Sequence, residues 1–348
     1  MISIISFLIV IGICVMSHEG GHYWAARFRD VMIHEYSFGM GPVIWSRKKG
    51  ETQYSFRAFP IGGFVKLEGE EAEEEEAEKP EGYDPKRSLA NKKPWERILI
   101  IGAGAAVNIA LAWILTAAYL CGYGVYNMET PKLGNIMENT PAYSAGLKTG
   151  DIVKSIDGKE LKSWADIRKN IQDKDKRGDR FNITVERGGV EKSYTIEIPF
   201  DKEAGGRLLG VQPSHEKYPL FKALGTAFTY SWKMSAEILS GLWMALTGQI
   251  KADVTGPVGI ATMAGDAFRE GLWTFIAFLG VINLNLGLLN LLPFPALDGG
   301  RIIFIFIELV TRRKVPERVE TMIHYAGFII LLALIFIVTG KDVYRLIQ

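Results

Sequence analysis

Four stretches of this chain are apolar over enough residues to cross a bilayer. That limits the backbone to helix wherever lipid surrounds it, because lipid offers peptide groups no hydrogen-bond partner. They run from about Ile2 to Ala26, Ile98 to Tyr123, Leu272 to Leu292 and Met322 to Val338. The rest is too charged to lie in lipid: 23% of the 348 residues are charged against 48% hydrophobic, so the chain must divide into membrane and aqueous parts. The first stretch lacks a basic leader and a small-residue cleavage site, which predicts a retained span rather than a removed signal. A formal net charge of +1 gives no footprint for nucleic acid. Cys14 and Cys121 fall in apolar surroundings and read as small hydrophobes.

The first span ends in His18-Glu19-Gly20-Gly21-His22. Residues four apart share a helix face, so both imidazoles can reach one Zn²⁺, with Glu19 beside them as a base for water. Two histidines and a carboxylate at the end of a span are costly unless they have a task. The competing reading is a pair of headgroup-level histidines with Glu19 reaching to water. A third ligand would decide, and the candidate is Asp298, in Asn290-Leu-Leu-Pro293-Phe-Pro295-Ala-Leu-Asp298-Gly299-Gly300-Arg301 at the end of the third span. Pro293 and Pro295 break that helix, which leaves irregular backbone suited to lining a wet cavity.

Basic clusters at Arg27, Arg29 and Arg47 to Lys49, at Lys92, Lys93 and Arg97, and at Arg312 to Lys314 set the expected orientation. All three belong on the cytoplasmic side. Both termini and the segment between the second and third spans are then outside. The first and third spans both run inward, so His18, His22 and Asp298 are expected at similar depth near the cytoplasmic face.

Between the first two spans, Gly39 to Ser46, a turn at Arg47 to Gly50, and Gln53 to Phe59 read as a hairpin, to which Pro60 to Lys66 could add a strand. It either dips into the membrane interface or stays cytoplasmic. The acidic block Glu68 to Lys79 is expected to stay solvated and is given no chemistry. Residues from about Tyr126 to His215 have soluble character, with strands at Phe181 to Glu186 and Ser193 to Ile198 and a helix at Trp164 to Ile171. Within them, Pro141 to Lys159 resembles the central stretch of bacterial PDZ domains. Such a groove takes an extended peptide or a chain terminus as an added strand, and the alternative is a PDZ-like plug whose groove is unused. From Pro219 to Gly248, Lys222, Thr226, Thr229, Lys233, Glu237 and Ser240 draw one polar stripe down a helix, which fits an interfacial helix better than a fifth span.

In order along the chain, His18-Glu19-x-x-His22, Gly62-Gly63-Phe64-Val65, the PDZ-like insertion, Gly256-Pro257-Val258-Gly259 and Asn290-x-x-Pro293-x-Pro295-x-Leu297-Asp298-Gly299 resemble the site-2 protease family of intramembrane zinc metalloproteases, of the bacterial type with one PDZ domain. The resemblance implies Zn²⁺ held by His18, His22 and Asp298, with Glu19 as catalytic base. It also implies a substrate strand along Gly62, Gly63, Phe64 and Val65, with Asn285, Asn290, Pro293 and Pro295 handling the substrate. Two departures stand out: Gly20 where Leu is more usual, and Gly104-Ala105 where the second span often has Gly-Pro.

The fold expected is a multi-pass α-helical membrane protein of about four transmembrane helices, with a membrane-associated β-hairpin or sheet and an inserted α+β PDZ domain. Its parts would be residues 1–125 (first half of the core), 126–215 (PDZ domain), 216–268 (interfacial helix and linker) and 269–348 (second half of the core). The function implied is cleavage of single-span membrane proteins in the bacterial inner membrane, with the PDZ domain gating access from outside. Two rivals remain at this point. A membrane-anchored PDZ scaffold would leave Glu19 and Asp298 without a role, and a metal transporter would need more polar residues along its spans.

Overall fold

In the computed structural model, residues 2–70, 84–172, 179–201, 205–250 and 255–347 are described. The chain forms two compact units, one of residues 1–119 with 221–348 and one of residues 120–220.

In the first unit, helix α1 (Ile2–Phe28) carries the apolar N-terminal run through the histidine motif. It ends where Asp30 turns left-handed (φ 50) and the Val31 N–H returns to Ala26 O at 2.9 Å, a closure that satisfies the last carbonyls. Helix α2 (Pro94–Gly122) opens on a proline, whose missing N–H costs nothing there, and Glu96 accepts from the Lys93 N–H at 3.2 Å. Between them, β1 (Ile33–Lys49) and β2 (Thr52–Leu67) are longer than the expected hairpin. Glu35 to Phe38 lie opposite both Gln53 to Phe56 and Gly63 to Lys66, so the two strands double back and the Gly63 to Lys66 segment forms a margin of the sheet. The far end exposes Met40, Val43, Ile44, Trp45, Phe56 and Phe59.

The acidic block departs from expectation where it is described. Glu68 is buried and meets His34 Nε2 at 2.6 Å, and Glu70 pairs with Arg301. Carboxylates with specific partners are held in place rather than solvated. Residues 71–79 of the block lie outside the described residues.

Of the downstream helices, α5 (Leu220–Leu246) buries the small stripe Ala223, Ala227 and Ser231, and it is tied to α2 by the Trp113 Nε1–H donating to Leu224 O at 2.9 Å. Phe221, Trp232, Trp243 and Leu246 on its other faces are exposed. Helix α6 (Pro257–Glu270) starts at the Gly256-Pro257-Val258-Gly259 motif, where the Gly259 N–H donates to Asp342 Oδ2 at 2.8 Å. A carboxylate from a distant helix thus satisfies a free donor at the positive end of α6. Helices α7 (Leu272–Asn290), α8 (Asp298–Thr311) and α9 (Glu317–Ile347) complete the unit. Among the described residues, four helices are long and apolar enough to cross a membrane, over Ile2–Phe28, Pro94–Gly122, Leu272–Asn290 and Arg318–Arg345. Ala264 and Ala267 of α6 bury against Val10 and Cys14 of α1 and Phe275 and Leu279 of α7. In lipid, such small-residue packing takes the place of the hydrophobic effect in holding helices together. Arg97 and Glu308 join α2 to α8 at 2.7 Å.

The second unit is α+β. Short strands β3 (Val125–Tyr126) and β4 (Leu133–Ile136) precede a one-turn helix α3 (Pro141–Ser144). Then come β5 (Ile152–Ile156), β6 (Lys159–Glu160), α4 (Trp164–Gln172), β7 (Arg180–Arg187) and β8 (Val190–Glu197). The main sheet has the order β6-β5-β7-β8. Strands β9 (Phe200–Asp201), β10 (Gly206–Arg207), β11 (Val211–Pro213) and β12 (His215–Glu216) follow, with β11 pairing on β4 and β12 on β3. Asp157 and Gly158, both left-handed at φ 49 and 79, make the two-residue turn between β5 and β6 that the Asp-Gly pair predicts. The core packs Leu133, Leu147, Phe181, Ile183 and Ile198. Beside it Asp151, 1% exposed, takes two 2.7 Å bonds from the Arg187 Nε and Nη2 and one of 2.9 Å from the Lys148 N–H.

Candidate metal centre

His18 and His22 stand one turn apart on α1, and Asp298 is the first residue of α8. The proline-broken turn after α7 returns the chain to α1, which is how residues 276 to 280 positions apart in sequence meet. His18 Nε2 lies 3.2 Å from His22 Nε2 and 3.3 Å from Asp298 Oδ2, and His22 Nε2 lies 3.6 Å from that oxygen. All three side chains are at least four-fifths buried.

These separations fit a metal ion. A tetrahedral zinc with donors at about 2.0–2.1 Å holds neighbouring donors about 3.3 Å apart. Asp298 Oδ2 is buried and has no hydrogen-bond donor among the described residues. The His22 Nδ1 meets Ile100 O at 3.0 Å, and since a carbonyl only accepts, Nδ1 carries a proton, which in the neutral ring leaves the Nε2 lone pair for a metal. The space for the rings comes from α2. A side chain at Gly104 would strike His22 Nε2 and, at 2.9 Å, His18 Cε1, while Gly21 lets α1 press onto the backbone at Ala103 and Gly104. Gly20, the departure noted in the sequence, meets nothing within 4 Å.

Glu19 sits beside the margin of the sheet. A Cβ on Gly63 would lie 3.4 Å from its Cγ. Gly62, at φ 83, packs beside Met40, and Phe64 lies under the Arg57 guanidinium with 5.0 Å from the guanidinium carbon to the ring centre. Asn285 turns back on its own helix, its Nδ2 donating to Val281 O at 3.0 Å, and Asn290 is the last residue of α7. Pro293 is exposed and Pro295 half-buried in the turn before Asp298.

Sequence reasoning passed over a polar cluster beside the histidines. Asn108 and Asn283, both 0% exposed, flank Ser17, whose Oγ donates to Asn108 Oδ1 at 2.6 Å. Two asparagines within apolar spans were the available signal, because an amide in lipid requires a partner.

Residues 6–334 match the model of peptidase family M50. The chain is 33% identical over 343 residues (98% of each chain) to a protein of Clostridium perfringens whose name assigns it to the zinc metalloproteases. It is 31% identical over 420 aligned residues, 99% of this chain and 98% of the other, to the zinc metalloprotease RasP of Geobacillus kaustophilus. It is also 29% identical to the regulator of sigma-W protease RasP of Bacillus subtilis, over 99% of both chains. Among solved structures, the PDZ domain of the SdrC-like protein of Listeria innocua is similar at 26% identity, covering 26% of this chain and 99% of that one, with a TM-score of 0.21. The scaffold and transporter readings therefore fall away. Over almost its whole length the chain belongs to peptidase family M50, the site-2 proteases, as a bacterial membrane zinc metalloprotease.

Proposed function

We propose that this protease hydrolyses peptide bonds in or beside the membrane-spanning segment of single-span membrane proteins, with Zn²⁺ held by His18, His22 and Asp298. The observation that carries the reading is the convergence of these three donor atoms within 4.8 Å of one another, with Glu19 next to a sheet margin. When bound, Zn²⁺ supplies Lewis acidity, which makes water nucleophilic near neutral pH and offsets negative charge developing on the substrate carbonyl. Glu19 takes the proton from the attacking water and returns it to the leaving nitrogen.

A helical substrate hides its peptide bonds, so it must unwind before attack. Pairing with the margin strand at Gly62, Gly63, Phe64 and Val65 would replace the hydrogen bonds it loses. The small residues there let the second backbone approach. Asn285, Asn290 and the turn containing Pro293 and Pro295 would take up the remaining polar groups of the unwound segment. The exposed Met40, Ile44, Trp45 and Phe59 support a hairpin whose end enters the membrane interface.

The distribution of basic residues favours a bacterial inner-membrane topology with both termini and the PDZ domain outside and the zinc toward the cytoplasm. On that reading the PDZ domain admits substrates whose outer portion has been trimmed, by excluding bulk or by capturing the new chain end.

The test is cleavage of a single-span substrate by the purified protein and by Glu19→Gln at matched zinc content. Activity lost while zinc stays bound supports the reading. Equal cleavage by both proteins would overturn the role of Glu19.

A further inference from the structure

The turn that delivers Asp298 is held in part from outside. Ala296, two residues before the carboxylate, is left-handed at φ 74, a conformation unfavourable for any residue with a side chain. Its N–H donates out of the turn, to Nδ1 of His324 on α9 at 2.9 Å. An amide can only donate, so His324 accepts through Nδ1 and is neutral with its proton on Nε2. One turn further along α9, on the same face, Gly327 receives Pro295: a Cβ there would strike the proline's own Cβ and, at 2.7 Å, its carbonyl oxygen. Two adjacent residues of the turn are therefore seated against one face of the fourth span. Within the turn, Leu297 N–H to Phe294 O at 3.2 Å and Gly300 N–H to Leu297 O at 3.0 Å carry the geometry on to the start of α8.

We propose that His324 is a positioning residue for the metal centre: by accepting from the Ala296 N–H it fixes the left-handed turn and so sets the Asp298 carboxylate against His18 and His22. The inference rests on the reading in which Asp298 is the third zinc ligand. It gives the fourth span a task beyond anchoring, since the span becomes the wall against which the distant ligand is set.

The experiment is a zinc competition assay with a chromophoric chelator on the purified full-length protein in detergent. His324→Leu removes the acceptor and should weaken zinc binding by about 10–100-fold, the usual effect of losing a group that orients a ligand. His324→Asn, whose amide oxygen can stand near the Nδ1 position, should stay near the parent value. Adding Ala296→Gly to His324→Leu should recover most of the loss, because glycine adopts the turn conformation without being held in it. Parent-like binding by His324→Leu would overturn the proposal. So would equal losses in the Leu and Asn variants with no recovery by glycine, which would reduce His324 to packing. Asp298→Ala serves as the reference: if it binds zinc as tightly as the parent, the ligand reading beneath the proposal is what has failed.

Discussion

Gly104 of α2 stands flush against the Nε2 edge of His22, with no room for one further carbon between them. The neighbouring turn of α1 is closed by Gly21 against Ala103, so the two helices cannot slide apart to make that room without opening the crossing. Gly104→Ala is therefore expected to push the imidazoles out of register. Zinc content of the purified variant should fall by about tenfold or more while the protein still inserts and folds. Stoichiometric zinc in Gly104→Ala would show that the rings have space elsewhere.

Substitution at the sheet margin separates binding of metal from binding of substrate. Phe64→Pro removes a backbone donor and stiffens the strand beside Glu19. Cleavage of a single-span substrate should slow by about tenfold or more, with zinc unchanged. Parent-like turnover would rule out strand pairing.

Removal of residues 126–215 addresses gating. The shortened protein should cleave substrates with intact outer domains that the full chain rejects. Continued rejection of untrimmed substrates by the deletion variant would place selection within the membrane core.

In the second unit, burial works against the ionised form of Asp151, but the Arg187 guanidinium and the Lys148 N–H outweigh it and hold the carboxyl below the usual range. A depressed folded value means that the contribution is fully present above the unfolded pKa of about 3.9 and fades as pH falls through the folded value. Arg187→Met should destabilise the unit by about 2–4 kcal/mol at neutral pH, because it strands a buried carboxylate. Amide exchange across β5 and β7 in the full-length protein reads this out. The gap between variant and parent should narrow on acidification below about pH 4, and a gap that stayed constant there would exclude an electrostatic origin.

The spans were legible because about 20 apolar residues in a row admit few other structures, and the histidine pair because its spacing is the pitch of a helix. Asp298 was legible only in company. A Leu-Asp-Gly triplet says little until two prolines end the preceding helix and orientation brings both ends to one depth. The sheet is longer than its local alternation implies. Alternation marks a strand, but whether Glu35 to Phe38 face one neighbour or two depends on how β1 and β2 fold back, which no local pattern encodes. Glu68 and Glu70 were hidden by their neighbours, since a run of like charge gives no sign that His34 and Arg301 wait for two of its members. His324 gave even less, because a single histidine in a span could serve any wall of the bundle.

Asp298 begins α8, and that position bears on electrostatic self-energy. A divalent ion held by two neutral imidazoles and a carboxylate carries a net charge of +1, against +2 for a centre of three histidines. The cost of placing an ion in a low-dielectric medium grows with the square of its charge, so the carboxylate cuts that cost to about a quarter. The carboxylate also stands at the positive end of the α8 dipole, which favours negative charge at that position. On the reading in which Asp298 is the third zinc ligand, one residue at a helix start thus lowers the charge that the centre would bring into the membrane.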